Sequence, residues 1–478
     1  MAPFSELSTS PESGRRDSNP RPPAPKAGAL AKLRHFPYDT WYLANRYARR
    51  PMTDSFLRRM SLVLMGGLAA LLAVGCSAQI SLELDEVENS LAGGNSTSSI
   101  PTDAVTTTSL FVDTTVVSAP ATPTTTAAIG PPDDGLRSDE RRLVELFRVS
   151  DADLRPKSVV IGPDGLVFAQ NMMYRHNLLV FDQNGAVVAK IDDSVDLHDF
   201  GLSYEPQIVK GAPVEAAVSP DGRHLWVSNY KMYGDNFRSN ADDECGRGDW
   251  EDSYVYRINL ETLEIDGVVP TGAVPKFLQV SPDGRRLVVA NWCGFDVSVI
   301  DTERLVELGR VDLGRHPRGV AITHDSSQAY VTVMGAERID LVDLEELSVV
   351  ASLKSSGITP RHIILSKDGN TLFSSNHLMD TVRTIDLATD TLVGTVRTGT
   401  QTRSLAVSDD EASMYVVNYL DGTISKVRVS DMSILQTIEV GGRPVGIAYD
   451  SLTRRVWVAD YEGRLIVFED KGVVESDD

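Results

Sequence analysis

The chain has 478 residues, room for two or three average domains or for one large repeat array. With 42% hydrophobic and 24% charged residues it is neither a polytopic membrane protein nor wholly disordered. A formal net charge of −21 argues against nucleic acid as a partner, and three cysteines are too few for a disulfide framework.

Residues 1–51 are rich in Arg and Pro and precede an otherwise complete export signal that starts at Met52. They are read as a non-translated or disordered extension and set aside from the fold. Within residues 52–75, Arg58 and Arg59 flank the thirteen-residue apolar run Leu62–Val74. A spanning helix needs roughly 20 apolar residues, so this run is the core of a signal peptide. Leu72-Ala73-Val74-Gly75-Cys76 resembles a bacterial lipobox, with Ala73 where leucine is usual. The resemblance implies that Cys76 is lipidated, becomes the mature N-terminus and holds the exported chain to the outer face of the cell membrane.

Residues 76–137 contain a single basic residue, Arg137, and 16 of the 31 positions from Ser96 to Thr126 are Ser or Thr. Such a stretch buries too little apolar surface to offset its ordering entropy, so it is expected to be a disordered tether.

Residues 138–470 repeat. Anchor residues Pro156, Pro213, Pro275, Pro317, Pro360, Thr402 and Pro444 each open a similar unit, with a base period of about 42 residues. Each unit has an apolar run, a reversing turn (Asp221-Gly222, Asp283-Gly284, Asp325-Ser326, Asp368-Gly369), and a second strand such as HLWVSN. Two more strands follow, for example Asp296–Asp301 and Leu305–Val311. Four antiparallel strands per unit predict an all-β, seven-bladed β-propeller. Arg142–Val149 nearly copies Arg304–Val311, and the last unit has only three good strands. An N-terminal strand is therefore expected to complete the last blade and close the ring. Residues 471–478 remain as an acidic tail.

Tyr415-Val416-Val417-Asn418 and Tyr330-Val331-Thr332-Val333 resemble the YVTN repeat family. Lactonase-like seven-bladed propellers form its wider circle, and this resemblance implies a site at the mouth of the central channel.

Three features converge on that mouth. A basic residue follows the anchor in five units: Lys157, Lys276, Arg318, Arg361 and Arg403. In so acidic a domain they form a candidate ring for a small anionic ligand, or else they pair with carboxylates between blades. Second strands end in Asn229-Tyr230, Asn291-Trp292, Asn376-His377 and Asn418-Tyr419, and the last in Asp460-Tyr461. The aromatic and His residues would line the rim, while strand-end asparagines more often close an Asx-turn. His362 and His377 share a unit but lack a third patterned ligand for a metal. Length in excess of the repeat falls at 194–211 and 230–252, both long loops on this face. Their acids, among them Asp196, Asp199, Asp242, Asp243 and Glu244, are a weak calcium candidate without calcium-loop spacing.

With Cys76 lipidated, Cys245 and Cys293 remain, on equivalent loops of adjacent units, and a disulfide between them is expected in an exported protein. The sequence reads best as a monomeric, lipid-anchored module that binds a cell-envelope protein or a small anion through its loop-capped face. The alternative is a lactonase-like or other hydrolase acting at the channel mouth. No resident cofactor is expected.

Overall fold

The computed structural model describes residues 134–234, 237, 245 and 250–472. Residues 1–133, which include the segments read above as an export signal and most of the expected tether, with Cys76, and the residues after Gly472 lie outside them.

Seven four-stranded antiparallel sheets form the blades of a propeller, as the repeat predicts. Blade 1 runs Ser158–Ile161, Val167–Asn171, Asn177–Phe181 and Val187–Asp192 from channel to rim. Blades 2 to 6 begin with the inner strands Pro213–Val218, Pro275–Val280, Pro317–Ile322, Pro360–Leu365 and Thr402–Val407, and blade 7 with Pro444–Asp450.

The turn between first and second strands explains why the period is so regular. Ser219, Ser281, Thr323 and Ser366 each donate a hydroxyl hydrogen bond to the Asp two residues on, at 2.5–2.6 Å. That Asp oxygen then accepts the N–H two residues further, from Arg223, Arg285, Ser327 and Asn370, at 3.0–3.1 Å. The residue between must enter the left-handed region. Gly222 (φ 71°), Gly284 (φ 75°) and Gly369 (φ 73°) do so freely, and Ser326 (φ 63°) does so in blade 4.

Middle strands are buried on both faces because neighbouring blades pack over them. Between blades 3 and 4, Val288, Val299, Val320 and Val331 share one apolar cluster. Trp226 and Trp457 are fully buried in the corresponding layers. Fourth strands face solvent, as in the almost wholly exposed Ser348–Leu353.

The ring closes as expected. Arg142–Ser150 pairs antiparallel with Arg464–Lys471, so the last blade takes its outer strand from the start of the propeller. Lys471 is the end of that strand, paired with Arg142, which corrects the expectation that the acidic tail begins there. A buried latch reinforces the seam. Lys426 Nζ donates to Asp470 and to the carbonyls of Ser138 (2.6 Å) and Arg141 (2.9 Å), and Tyr415 donates its hydroxyl to Asp470 at 2.6 Å.

The first length excess is not an irregular loop. Ser194–Asp196 and Ile208–Lys210 form a small two-stranded hairpin. Its Val195 and Val209 pack with Met232, Tyr256 and Val268, and Lys210 exchanges backbone hydrogen bonds with Tyr233 (2.8 and 2.6 Å). The two insertions therefore share one satellite core on blade 2.

Candidate functional site

The channel mouth is built by a defect repeated in the inner strands. In blades 2 to 6 the pairing between first and second strands slips by one residue between the anchor and the third residue after it. Such a bulge re-aims the side chains it contains. The residue before the anchor is left-handed in blades 3 to 6: Val274 (φ 54°), His316 (φ 67°), Thr359 (φ 50°) and Gln401 (φ 58°). A β-branched residue there is a strained choice, held by its surroundings. Gly319 supplies the close approach between blades, since a Cβ there would stand 2.6 Å from the Arg361 carbonyl.

Hydroxyls tie this tier together. Ser228 donates to the Lys276 carbonyl at 2.6 Å, Thr332 to that of Arg361 at 3.2 Å, and Ser375 to that of Arg403 at 2.5 Å. In each case the second strand of one blade fixes the basic residue of the next.

All five basic residues are buried. Lys157, Arg318, Arg361 and Arg403 are near enough to share one electrostatic neighbourhood. The acid among them is Glu215, two residues after the blade 2 anchor, which accepts from Arg318 at 3.0 Å and Lys157 at 3.4 Å. Lys157 and Arg318 thus pair with a carboxylate of another blade, the plainer of the two readings the sequence offers for the ring. Burial alone would raise the Glu215 carboxyl, but Lys157, Arg318, His362 and Arg361 together hold it below the usual range. Burial pushes the Lys157 amine well below the ordinary lysine value; Glu215 opposes this, and Arg318, Arg361 and Arg403 add to it. His362 is lowered to about 4, by burial first and then by Arg318, Arg361 and Lys157 against the pull of Glu215. Its Nδ1 accepts the Leu405 N–H at 3.0 Å, so the neutral ring carries its proton on Nε2.

The rim aromatics are joined to the cations. Lys276 Nζ lies 4.2 Å from the Tyr230 ring and 5.7 Å from that of Trp292. The Arg403 guanidinium lies 3.5 Å from the Tyr419 ring. These are cation–π contacts in a desolvated setting, and they fix where the charges stand.

Other expected residues sit deeper. Asn229 and Asn291 are fully buried, and their amides donate to the Tyr254 carbonyl (3.2 Å) and to Asp296 (2.7 Å). They bridge to the third strand rather than close a turn of their own. His377 is fully buried, with Nδ1 3.2 Å from the Thr402 carbonyl. His362 and His377 thus each turn Nδ1 to a backbone group of the blade 6 inner strand. Among the described residues, no group of three or more His, Cys, Asp or Glu is arranged to hold a metal ion. Asp196 caps the N–H groups of His198 (3.1 Å) and Gln207 (2.7 Å), while Asp242, Asp243 and Glu244 lie outside the described residues.

Cys245 and Cys293 are joined in a disulfide, with Cα atoms 5.2 Å apart. The bond ties the long blade 2 loop to the equivalent loop of blade 3, beside Trp292, which stacks on His316 with centroids 4.4 Å apart. On the same face, a 570 Å³ cavity of mixed charge opens between blades 7 and 1, lined in part by Arg155, Glu462 and Arg464.

Sequence reasoning missed Glu215 and His316. Glu215 was recoverable, because among residues two after the anchors (Ser158, Glu215, Phe277, Gly319, His362, Ser404 and Gly446) it is the sole acid. His316 had no signal beyond its place before Pro317.

No family model matches the chain. A curated relative, antigen Lp49 of Leptospira interrogans serogroup Icterohaemorrhagiae serovar copenhageni (strain Fiocruz L1-130), is 24% identical over 182 residues, covering 36% of this chain. The chain spans 35% of that relative's length. Among solved structures, Kuenenia stuttgartiensis hydrazine synthase superposes with a TM-score of 0.53 at 15% identity, covering 69% of this chain and 99% of that one. That likeness supports the propeller fold.

Proposed function

We propose that this chain is an exported binding module of the YVTN type, lipid-anchored through Cys76, that takes a cell-envelope ligand or partner at its channel mouth. The carrying observation is the convergence of buried cations around Glu215 on the face that also bears the insertions and the disulfide. The signal-like run ending in Cys76 and the Cys245–Cys293 bond both suit a compartment where disulfides persist.

One observation favours the hydrolase reading: a buried carboxylate and a histidine stand together beside arginines. Their tuning points the other way. General acid–base catalysis near neutrality is best served by a group titrating near pH 7. Glu215 is held below its usual range and His362 at about 4, so both sit as fixed charge or fixed donor rather than as proton shuttles.

The test is a thermal-shift screen of the purified chain against envelope-derived small molecules, lactones included, with Arg318→Ala as the site variant. A stabilising ligand lost in Arg318→Ala, with no turnover, supports the binding module. Hydrolysis of a lactone that disappears with His362→Ala would replace it by the enzyme. Mass spectrometry of Cys76 from a bacterial host tests the anchor: an unmodified thiol on soluble protein would remove it.

A further inference from the structure

We propose that the cavity between blades 7 and 1 binds a small zwitterion, a free α-amino acid or a short unblocked peptide, with its carboxylate on Arg155 and its ammonium group on Asp151. The cavity shares no residue with the basic ring, so this site stands whether or not the channel mouth binds anything.

Ring closure builds the cavity. Ser150 ends the strand that completes blade 7, and Asp151 and Ala152 lead on toward the inner strand of blade 1. Opposite them, Glu462 and Gly463 turn blade 7 from its second strand into its third, which begins at Arg464. Side chains stand at the same place before the third strand in blades 1, 3, 4 and 5: His176, Phe295, Glu337 and Asp380. In blade 7 the place is bare. A Cβ on Gly463 would stand 1.8 Å from Nη1 of Arg155, so a glycine is required for the guanidinium to enter.

Four charged side chains line this space, and two of them are already satisfied by the protein. Arg464 is held by the buried carboxylate of Asp460 and by Glu462 at 3.1 Å. Arg155 and Asp151 form no ion pair among the described residues, with each other or with anything else. Arg155 is half-buried, and its Nη1 donates to the Leu154 carbonyl at 2.7 Å. That leaves the edge formed by Nε and Nη2, which takes a carboxylate through two parallel hydrogen bonds. Arg148 uses the same edge on Glu145, at 2.8 Å from each nitrogen. Asp151 spends one oxygen on the Asp153 N–H at 2.7 Å and keeps its charge unpaired. A ligand that spans the two groups must carry a carboxylate at one end and a cation at the other.

Size and polarity narrow the choice. At 570 Å³ the cavity falls in the range of roughly 300–1,000 Å³ common to small-molecule sites. Apart from Ala152 and Gly463 its lining is a hydroxyl and charged groups, so an apolar ligand gains little there. A plain anion would meet Asp151 and Glu462, and a plain cation would meet Arg155; only the zwitterion finds opposite charge at both ends.

The experiment is calorimetric titration of the full chain with glycine, diglycine and triglycine, and with N-acetylglycine and glycinamide, each of which lacks one of the two charges. The expected result is saturable 1:1 binding of a zwitterion, with the two blocked compounds at least tenfold weaker, about 1.4 kcal/mol. The tightest of the three zwitterions assigns the ligand as a free amino acid or a peptide. Arg155→Ala should weaken binding by the same factor, and Arg397→Ala, on the exposed outer strand of blade 5, should leave it unchanged. Asp151→Asn keeps an oxygen for the Asp153 N–H. It should weaken the zwitterion yet tighten N-acetylglycine by removing a repelling carboxylate, a gain that misfolding cannot mimic.

No saturation by any of the three zwitterions at about 10 mM overturns the proposal. So does binding of N-acetylglycine or glycinamide as tight as that of the zwitterion, because one charge would then suffice. Binding lost in Arg318→Ala but kept in Arg155→Ala belongs to the channel mouth; it would remove this second site and leave the binding module standing.

Discussion

Asp193 is the joint between the outer strand of blade 1 and the inserted hairpin, and its carboxyl is buried beside that of Asp192. Its backbone carbonyl is well used, accepting from Tyr256 Oη and the Gly211 N–H at 3.1 Å each. Burial, and then Asp192, push the carboxyl from 3.8 up to about 8, while Lys210 pulls it down. The native state therefore keeps a proton through a pH range in which the unfolded chain has lost it, and stability falls as pH rises from about 4 to about 8. Asp193→Asn has no proton to hold. It should stabilise the protein by roughly 2–5 kcal/mol at pH 8 and by nothing below pH 4. Melting curves across that range check this, and a gain independent of pH would contradict it. No sequence pattern singles out Asp193, because its burial depends on a satellite core made by two insertions outside the repeat. The basic ring was legible for the opposite reason: it recurs at one register of a periodic unit. Its counter-ion Glu215 occurs once, so it shows only as the exception when the residues two after the anchors are compared.

At the scale of elements, the long blade 2 loop is held at Cys245 by the bond to Cys293, across a sequence separation of 48 residues. The pairing was readable because equivalent loops on adjacent blades must lie near each other. The hairpin of the first insertion was not: its strands are three residues long, and Val195 and Val209 are too few to display an alternating pattern. Chain entropy gives the cross-link roughly 4 kcal/mol as an upper bound for a loop of this size. Reduction should lower the denaturation midpoint, with a loss of about 2–4 kcal/mol, and Cys293→Ser should match the reduced wild type. Near-ultraviolet dichroism should change as well, since Trp292 stacks on His316 next to the bond. Oxidised and reduced protein with equal midpoints would show that the bond constrains nothing that folding needs.

A ring of blades has no free edge only while its first and last segments stay joined, and here the junction combines a strand pair with a buried charge. Pairing Arg142–Ser150 with Arg464–Lys471 was foreseeable from the copied strand motif, because a three-stranded last blade leaves an edge that proteins avoid exposing. The latch behind it was not, since Lys426 reads in sequence as one more polar residue on a third strand. Lys426 and Asp470 are both fully buried, and each has further partners: the carbonyls of Ser138 and Arg141 for the amine, the Tyr415 hydroxyl for the carboxylate. Breaking such a pair leaves an uncompensated charge in the interior, at a cost of about 3–5 kcal/mol, whereas replacing both charges by apolar groups is often close to neutral. Asp470→Asn should therefore lower stability by that amount, and the double variant Lys426→Met, Asp470→Leu should recover much of the loss. Removing Arg142–Val149 should be worse than either, because it strips a whole strand from blade 7. Removing residues 473–478 should change little, because the closing strand ends before them. Denaturant titrations of the four variants rank these effects. If Asp470→Asn melts with the wild type while the strand deletion does not, closure rests on strand pairing alone and the latch adds nothing to it.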